Sequence, residues 1–393
     1  MNNLNILLVG GMWDDTGGRP SRIFSEMSQK IIDYFHFVVS VDSLKNINNI
    51  IGYYNGGFFN KLNEIIRDIT KYHIILWMVK VDNDQEKVVK LIKEKNSKCI
   101  LITSKVNEDR KYLLADIIHR ILDIKSNLCI EIKKEPTSYF SDRLSVNLID
   151  PLGNRFYTGE NFKTCGVLAI ERAIELSKFK RVFSKSVGDC GKELGTLRWD
   201  IKVGKIPEIQ GFLKIIRESA EEFTLLINPS KNLVNRFVGN ASFRCQSGFW
   251  SMRSDDNLMF ISRRNIDKEK IDADGFVPVF LDNDVYLFGL RHYGQDKPSV
   301  DSPIHVMLYN HYQKINFIMH SHCYIKGAPF TERILPCGCV ENFLDVTHIV
   351  KDREVSNIVL NLRGHGSLLC VNALDKFENI VYEARPEYEV ASN

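Results

Sequence analysis

The chain of 393 residues balances 52 Lys+Arg against 49 Asp+Glu for a formal net charge of +3, so no global field exists of the kind that gathers nucleic acid or an anionic membrane, and any polyanion contact must be local. Hydrophobic residues at 44% and charged residues at 26% exclude wholesale disorder, and at roughly 150 residues per domain the length predicts two or three domains. Three further features predict a soluble, cytoplasmic protein without membrane or nucleic-acid partners: no apolar run approaches the roughly 18 residues of a membrane span, Met1-Asn2-Asn3-Leu4-Asn5 lacks a cationic secretory start, and nine Cys without framework spacing fit reduced thiols.

From residue 4 to about 134, short β-branched runs alternate with amphipathic stretches. Strands are expected at Asn5 to Val9, Phe37 to Val41, Ile74 to Val79, Cys99 to Thr103 and Leu128 to Ile132. Between them the spacing predicts helices over Pro20 to Tyr34, Lys61 to Thr70, Asp84 to Lys95 and Tyr112 to Ile124. Strands separated by single helices imply right-handed crossovers and a parallel sheet covered on both faces, a flavodoxin-like or Rossmann-like layer domain. Gly10 to Ser21 follows the first strand, where such domains hold phosphates on helix amino-terminal amides, but it is neither a GxGxxG nor a Walker loop. Tyr53 to Phe59 is a second Gly-containing loop, whose aromatics either stack on a flat ligand or belong to the core.

Leu144 to Ile149 and Arg155 to Thr158 read as a hairpin around Asp150-Pro151-Leu152-Gly153-Asn154, followed by a helix over Thr164 to Phe179. The weakly periodic stretch from 180 to 205 is the expected boundary. It separates a first domain of residues 1–200, with a hairpin-helix extension from about 135, from a second of 205–393. The second opens with a helix over Pro207 to Phe223 and continues rich in strands to about 384.

The sharpest chemical signal is Asn316-Phe317-Ile318-Met319-His320-Ser321-His322, because side chains two apart on a strand share a face. A third imidazole lies in the run Ile358 to Leu369, at Arg363-Gly364-His365-Gly366, where the glycines permit close backbone approach. Three neutral imidazoles with an open fourth position suit a catalytic zinc, although HxH alone fits a structural or surface pair equally well. Asp301, in Lys297-Pro298-Ser299-Val300-Asp301-Ser302-Pro303, precedes a helix with Ile304, Met307, Leu308 and His311 at core spacing, and a simple helix cap is the competing reading for Asp301 or Ser302. Cys337-Gly338-Cys339 has the look of a metal or redox pair but has no CxxC companion, and reads as a loop.

Taken in order, these segments resemble the class II aldolase/adducin family over about residues 210–385. Gly239-Asn240-Ala241-Ser242-Phe243-Arg244 resembles its GN-x-S-x-R stretch, Lys297 to Asp301 its P-S-S-[E/D], His320-Ser321-His322 its H-[TSN]-H, and Arg363 to Gly366 its [RQ]-x-H-G. The resemblance implies an aldolase-like α/β/α domain in which His320, His322 and His365 hold a divalent metal, usually Zn2+, and Asp301 is the acid/base or a further ligand. It also implies a phosphate pocket that draws on Asn240, Ser262, Arg263 and Ser299, and a homo-oligomer, most often a tetramer. Asp rather than Glu at position 301 resembles the pentulose-phosphate epimerase branch. Tyr324, Tyr382 and Tyr388 are candidates by position for the second proton donor.

This sequence departs from the family pattern in three ways. Ile261-Ser262-Arg263-Arg264-Asn265 stands where a T-x-S-G-like turn is usual, Val300 replaces a serine, and only about a dozen residues separate His322 from the Pro336 turn. Arginine forks still suit a small anion, while the Arg263, Arg264, Lys268 and Lys270 cluster also reads as a solvated surface. The short segment predicts a pocket more open than usual, or one covered by another domain. The expected activity is a metal-dependent lyase of aldolase type that acts on a small phosphorylated or otherwise anionic sugar-like substrate through an enediolate. An epimerase, or an adducin-like binding module, is the alternative. The first half is only distantly similar to flavodoxin-like and deoxyribosyltransferase-like domains.

Overall fold

A computed structural model describes residues 4–41, 50–81, 85–108, 113–135, 143–180, 182, 184–188, 207–227, 239–244, 257–281, 285 and 289–386. The chain divides into two compact units, Met1–Lys178 and Phe179–Ser392.

In the first unit, strand and helix alternate as β1 (Ile6–Asp14), α1 (Arg22–Val41), β2 (Ile51–Phe58), α2 (Phe59–Arg67), β3 (Ile74–Val81), α3 (Gln85–Lys95), β4 (Ile100–Glu108), α4 (Leu114–Asp123) and β5 (Leu128–Glu135). A hairpin of β6 (Arg143–Ile149) and β7 (Arg155–Gly159) follows, and then α5 (Phe162–Lys178). The sheet order is β2-β1-β3-β4-β5-β6-β7, parallel through β5 and antiparallel for the last two strands. A doubly wound parallel sheet buries both faces of its strands, which is why Ile6-Leu7-Leu8-Val9 and Ile74-Ile75-Leu76-Trp77 are continuous apolar runs, almost wholly buried. Leu7, Val9, Ile75, Trp77 and Leu101 form one core with Leu62, Ile65, Ile66, Val89 and Ile92 of the flanking helices. Each such side chain contributes about 1.5–3 kcal/mol by leaving water.

Two sequence expectations fail here. Phe37 to Val41 is the last part of α1 rather than a strand. The helical spacing of Phe24, Met27, Ile31 and Phe35, all buried, carries the helix past the β-branched run, and Phe37 is exposed. The second strand is instead Ile51–Phe58, the segment read as a Gly-aromatic loop. It pairs in parallel with β1 from Ile6↔Ile51 to Asp14↔Phe58, and Tyr53 stacks on Phe24 with ring centroids 5.9 Å apart. Gly10 and Gly11 likewise lie within β1, so only the turn beyond Asp14 remains as a loop. Its polar groups are engaged internally: Asp14 Oδ1 accepts hydrogen bonds from the Thr16 amide at 2.8 Å, the Thr16 hydroxyl at 2.8 Å and the Gly18 amide at 3.0 Å, and Asn55 Oδ1 accepts from the Ser21 amide at 2.8 Å.

The second unit holds β8 (Ser184–Ser186), α6 (Pro207–Ile227), β9 (Asn240–Arg244), β10 (Leu258–Ser262), β11 (Phe276–Phe280), β12 (Leu290–His292), α7 (Ser302–His311), β13 (Phe317–Ser321), β14 (Tyr324–Ile325), α8 (Glu341–Ile349), β15 (Asn357–Leu362), β16 (Gly366–Val371) and β17 (Tyr382–Glu383). An eight-stranded sheet runs β15-β16-β13-β9-β10-β11-β12-β8, antiparallel except for its β12–β8 edge, and β14 pairs separately with β17. Its core joins Met259, Ile261, Val277 and Val279 of the sheet to Ile304, Leu308, Tyr309 and Tyr312 around α7. His311, expected at a core position of that helix, is only half buried; His305 and Tyr309 take the inner face. The run Ile358 to Leu369 forms the β15–β16 hairpin, because Gly364 turns the chain at φ +66° and the His365 amide donates to the Leu362 carbonyl at 2.9 Å. Both units are α/β, and among the described residues no helix is long and apolar enough to cross a membrane. Cys99, Cys129, Cys165, Cys323, Cys337, Cys339 and Cys370 are not in disulfides.

Candidate metal centre

Central strand β13 is paired on one side with β16 and on the other with β9, and this register builds the centre: His320 lies opposite Leu368 and Asn240. His322 follows immediately after the strand, and the β15–β16 turn delivers His365. Gly366 makes this approach possible, because a Cβ there would lie 1.9 Å from the Ser321 carbonyl oxygen. The His320 ring centroid is 4.6 Å from that of His365 and 5.2 Å from that of His322, and ligand atoms of all three residues lie within 4.8 Å of one another.

These imidazoles are held neutral. Burial pushes all three below the usual histidine range, and for His322 and His365 the neighbouring imidazoles and the Arg385 guanidinium push further in the same direction. Neutral imidazole is the ligating form. His320 Nδ1 lies 2.7 Å from the Ser367 carbonyl, an arrangement that fixes the ring and leaves Nε2 as the outward nitrogen; among the described residues Nε2 is buried without a hydrogen-bond partner. A buried polar atom left unpaired in this way fits a cation site.

Asp301 does not cap its helix. It occupies the position before α7, yet its carboxylate makes no hydrogen bond to that helix's amides. Instead Oδ2 accepts from Asn240 Nδ2 at 2.9 Å and Oδ1 from the Gly338 amide at 2.7 Å. Gly338 sits at φ +71°, where a Cβ would lie 2.5 Å from the Val300 carbonyl, so the turn that brings its amide to Asp301 demands glycine. A second ligand-distance group joins Asp301 and Cys337 to His365, which it shares with the group of three histidines. Cys337, which the sequence presents as a plain loop residue, places Sγ 3.1 Å from His365 Nε2, whereas Cys339 is wholly buried.

The expected anion-binding residues divide. Asn240 and Ser299 adjoin Asp301, with Ser299 Oγ 3.4 Å from the Asp301 amide nitrogen. The Ser262 hydroxyl is buried and accepts from the Ala241 amide at 3.2 Å. Arg263 is held in an ion pair with Asp296 at 3.1 Å, while Arg264 lies within electrostatic reach of Asp301. Lys268 is no solvated surface residue. It is 8% exposed, burial lowers its ammonium to about 8, and its charge acts on His320 and His322. Nothing in the surrounding Asp267, Glu269 and Lys270 marks it out in the sequence.

Other contributors also escape the sequence. Arg385 is fully buried and donates to the His365 carbonyl at 3.2 Å. His305 Nδ1 lies 2.7 Å from Ser242 Oγ, which in turn lies 3.0 Å from the Tyr309 hydroxyl; the Asp301–His305–Tyr309 spacing of four was the available signal. The short segment after His322 does not leave the imidazoles open: His320, His322 and His365 are 3%, 8% and 1% exposed. Of the tyrosines, Tyr324 accepts from the Gly364 amide at 3.0 Å, Tyr382 packs edge-on against Phe223 at 4.6 Å, and Tyr388 lies outside the described residues.

Residues 223–337 match the family model for the Class II Aldolase and Adducin N-terminal domain, a stretch that holds Asn240, Ser262, Ser299, Asp301, His320, His322 and Cys337 and ends before His365. Among solved structures, YgbL from Escherichia coli is 14% identical over 46% of this chain and 100% of its own, with a TM-score of 0.27. L-fuculose-1-phosphate aldolase from Thermus thermophilus is 16% identical over 47% of this chain and 90% of its own, with a TM-score of 0.27. A DNA/pantothenate metabolism flavoprotein from Streptococcus pneumoniae is 12% identical over 44% of this chain and 98% of its own, with a TM-score of 0.33. No curated protein shows a significant match.

Proposed function

We propose that the second unit is a metal-dependent lyase of aldolase type, which cleaves or forms a carbon–carbon bond in a small anionic, sugar-like substrate through an enediolate. The observation that carries this reading is the convergence of three buried, neutral imidazoles beside a buried carboxylate, with His320 Nε2 unpaired among the described residues. His320, His322 and His365 would hold a divalent cation, Zn2+ by the nature of the donors, which supplies Lewis-acid stabilisation of negative charge on substrate oxygens. Asp301 moves the proton. Its two oxygens are oriented by the Asn240 amide and the Gly338 N–H, so a substrate C–H or O–H placed against them meets a fixed acceptor. Arg264 and the buried Lys268 ammonium offer positive charge for an anionic group, together with the hydroxyls of Ser262 and Ser299.

Further elements of the reading are that the two units are separate domains, that the protein works in carbohydrate metabolism in the cytoplasm, and that it assembles as a homo-oligomer, a tetramer. An epimerase is the second reading, favoured by Asp at position 301. The test is a screen of ketose and aldose phosphates with stoichiometric Zn2+. Metal-dependent fragmentation supports the lyase and inversion without fragmentation the epimerase; no turnover of any substrate by metal-loaded protein favours a binding module.

A further inference from the structure

The Cys337 thiol stands against His365, an imidazole shared by two ligand-distance groups among the described residues. His320, His322 and His365 form one; Asp301, Cys337 and His365 form the other. Cys337 Sγ lies 3.1 Å from His365 Nε2, and the turn that presents it is pinned next door by the Gly338 amide on Asp301 Oδ1. The cysteine does not stand alone as a feature. His320 Nε2, on a residue 97% buried, points into the same centre without a partner among the described residues.

We propose that Cys337 is a thiolate ligand of the ion held by His365, so that the centre is a mixed sulfur–nitrogen site for a soft divalent cation. The inference rests on the metal-centre reading above and deepens it. Two donors of a tetrahedral zinc, with bonds of about 2.0–2.3 Å, sit roughly 3.5 Å apart, so the sulfur and Nε2 need part by only about 0.4 Å to share an ion, while the thiol, which forms no group within 4.8 Å with His320 and His322, would close on them as the ion binds. Coordination removes the thiol proton to solvent, and the thiolate selects zinc over the hard ions magnesium and manganese. Each Asp301 oxygen already accepts a hydrogen bond, which leaves that carboxylate for proton transfer while sulfur completes the shell.

The test loads purified full-length protein with Co2+ and reads its absorption. The wild type is expected to show intense near-ultraviolet sulfur-to-cobalt charge transfer as well as the visible ligand-field bands. Cys337→Ser should lose the former and keep the latter, and X-ray absorption on the wild-type zinc protein should show one sulfur scatterer without recourse to any variant. Ligand-field bands without charge transfer in the wild type would overturn the thiolate ligand and leave the histidine centre standing. Charge transfer that persists in Cys337→Ser would assign the sulfur elsewhere and overturn it too. Failure of the wild type to bind any Co2+ would overturn both readings together.

Discussion

The Gly338 amide nitrogen lies 2.7 Å from Asp301 Oδ1, and this contact takes the carboxylate away from the helix it precedes. With Oδ2 held by Asn240, Asp301 is a buried, positioned acceptor. Asp301→Asn must turn its own NH2 towards one of these two donors, so a stability loss of about 1–3 kcal/mol is expected, from an unmet hydrogen bond rather than from a lost helix cap. If Asp301 carries the proton, kcat falls roughly 10²–10⁴-fold while substrate binding changes little. A primary loss of metal affinity, of about 10–100-fold by titration, would identify it as part of the shell instead.

His320→Ala removes the buried Nε2 that has no hydrogen-bond partner among the described residues. Elemental analysis is expected to find near-stoichiometric divalent metal in the wild type and almost none in the variant. Zinc at 100 times its Kd stabilises a folded protein by about 2.7 kcal/mol, so thermal unfolding should shift upward with metal in the wild type and stay unmoved in the variant. Full metal retention by the variant would remove this site from consideration.

The parts of this centre that were legible in the sequence are those set by local periodicity. His320 ends up beside His322, their ring centroids 5.2 Å apart, although β13 stops at Ser321 and only His320 is on the strand, and the order of the GN, PSxD, HxH and GHG segments survives as β9, the turn before α7, the end of β13 and the β15–β16 hairpin. Arg385 was not legible, and Cys337 and Lys268, singled out in a metal- or redox-like pair and in a basic cluster, read equally as loop and solvated surface, since each reaches the histidines only through tertiary folding. The strand error at Phe37 to Val41 has a different cause. β-Branched composition predicts local extension, but the buried Phe24-Met27-Ile31-Phe35 stripe is longer-ranged and prevails.

His305 supplies a pH dependence. It is almost completely buried, and burial, with His320 as a lesser contributor, lowers its imidazole from about 6.5 to about 3. The unfolded state therefore binds a proton that the folded state refuses between these values. Stability is fully present above pH 6.5 and is lost as the pH falls towards 3, by up to about 1.4 kcal/mol per pH unit for this one group. In metal-free protein, His305→Asn, which can still accept from Ser242, should flatten the fall in Tm between pH 6.5 and pH 5. An unchanged slope would show that His305 is protonated in the folded protein.

In the first unit, Glu131 is 3% exposed on β5, between Asn107 of β4 and Asn147 of β6. Its oxygens accept from Asn107 Nδ2 at 2.6 Å and Asn147 Nδ2 at 2.8 Å, so both lone-pair directions face amide donors and the carboxylate ties the last parallel strand to the hairpin. Glu131→Gln has the same shape but brings one NH2 against another. The expected cost is about 1–3 kcal/mol, read as a lower denaturant midpoint with an unchanged m-value. The double change Glu131→Gln with Asn147→Asp restores a donor–acceptor pair on that side and should recover most of the loss. Failure of the second change to recover stability, after a loss in the first, would show that donor–acceptor matching between positions 131 and 147 does not account for the loss.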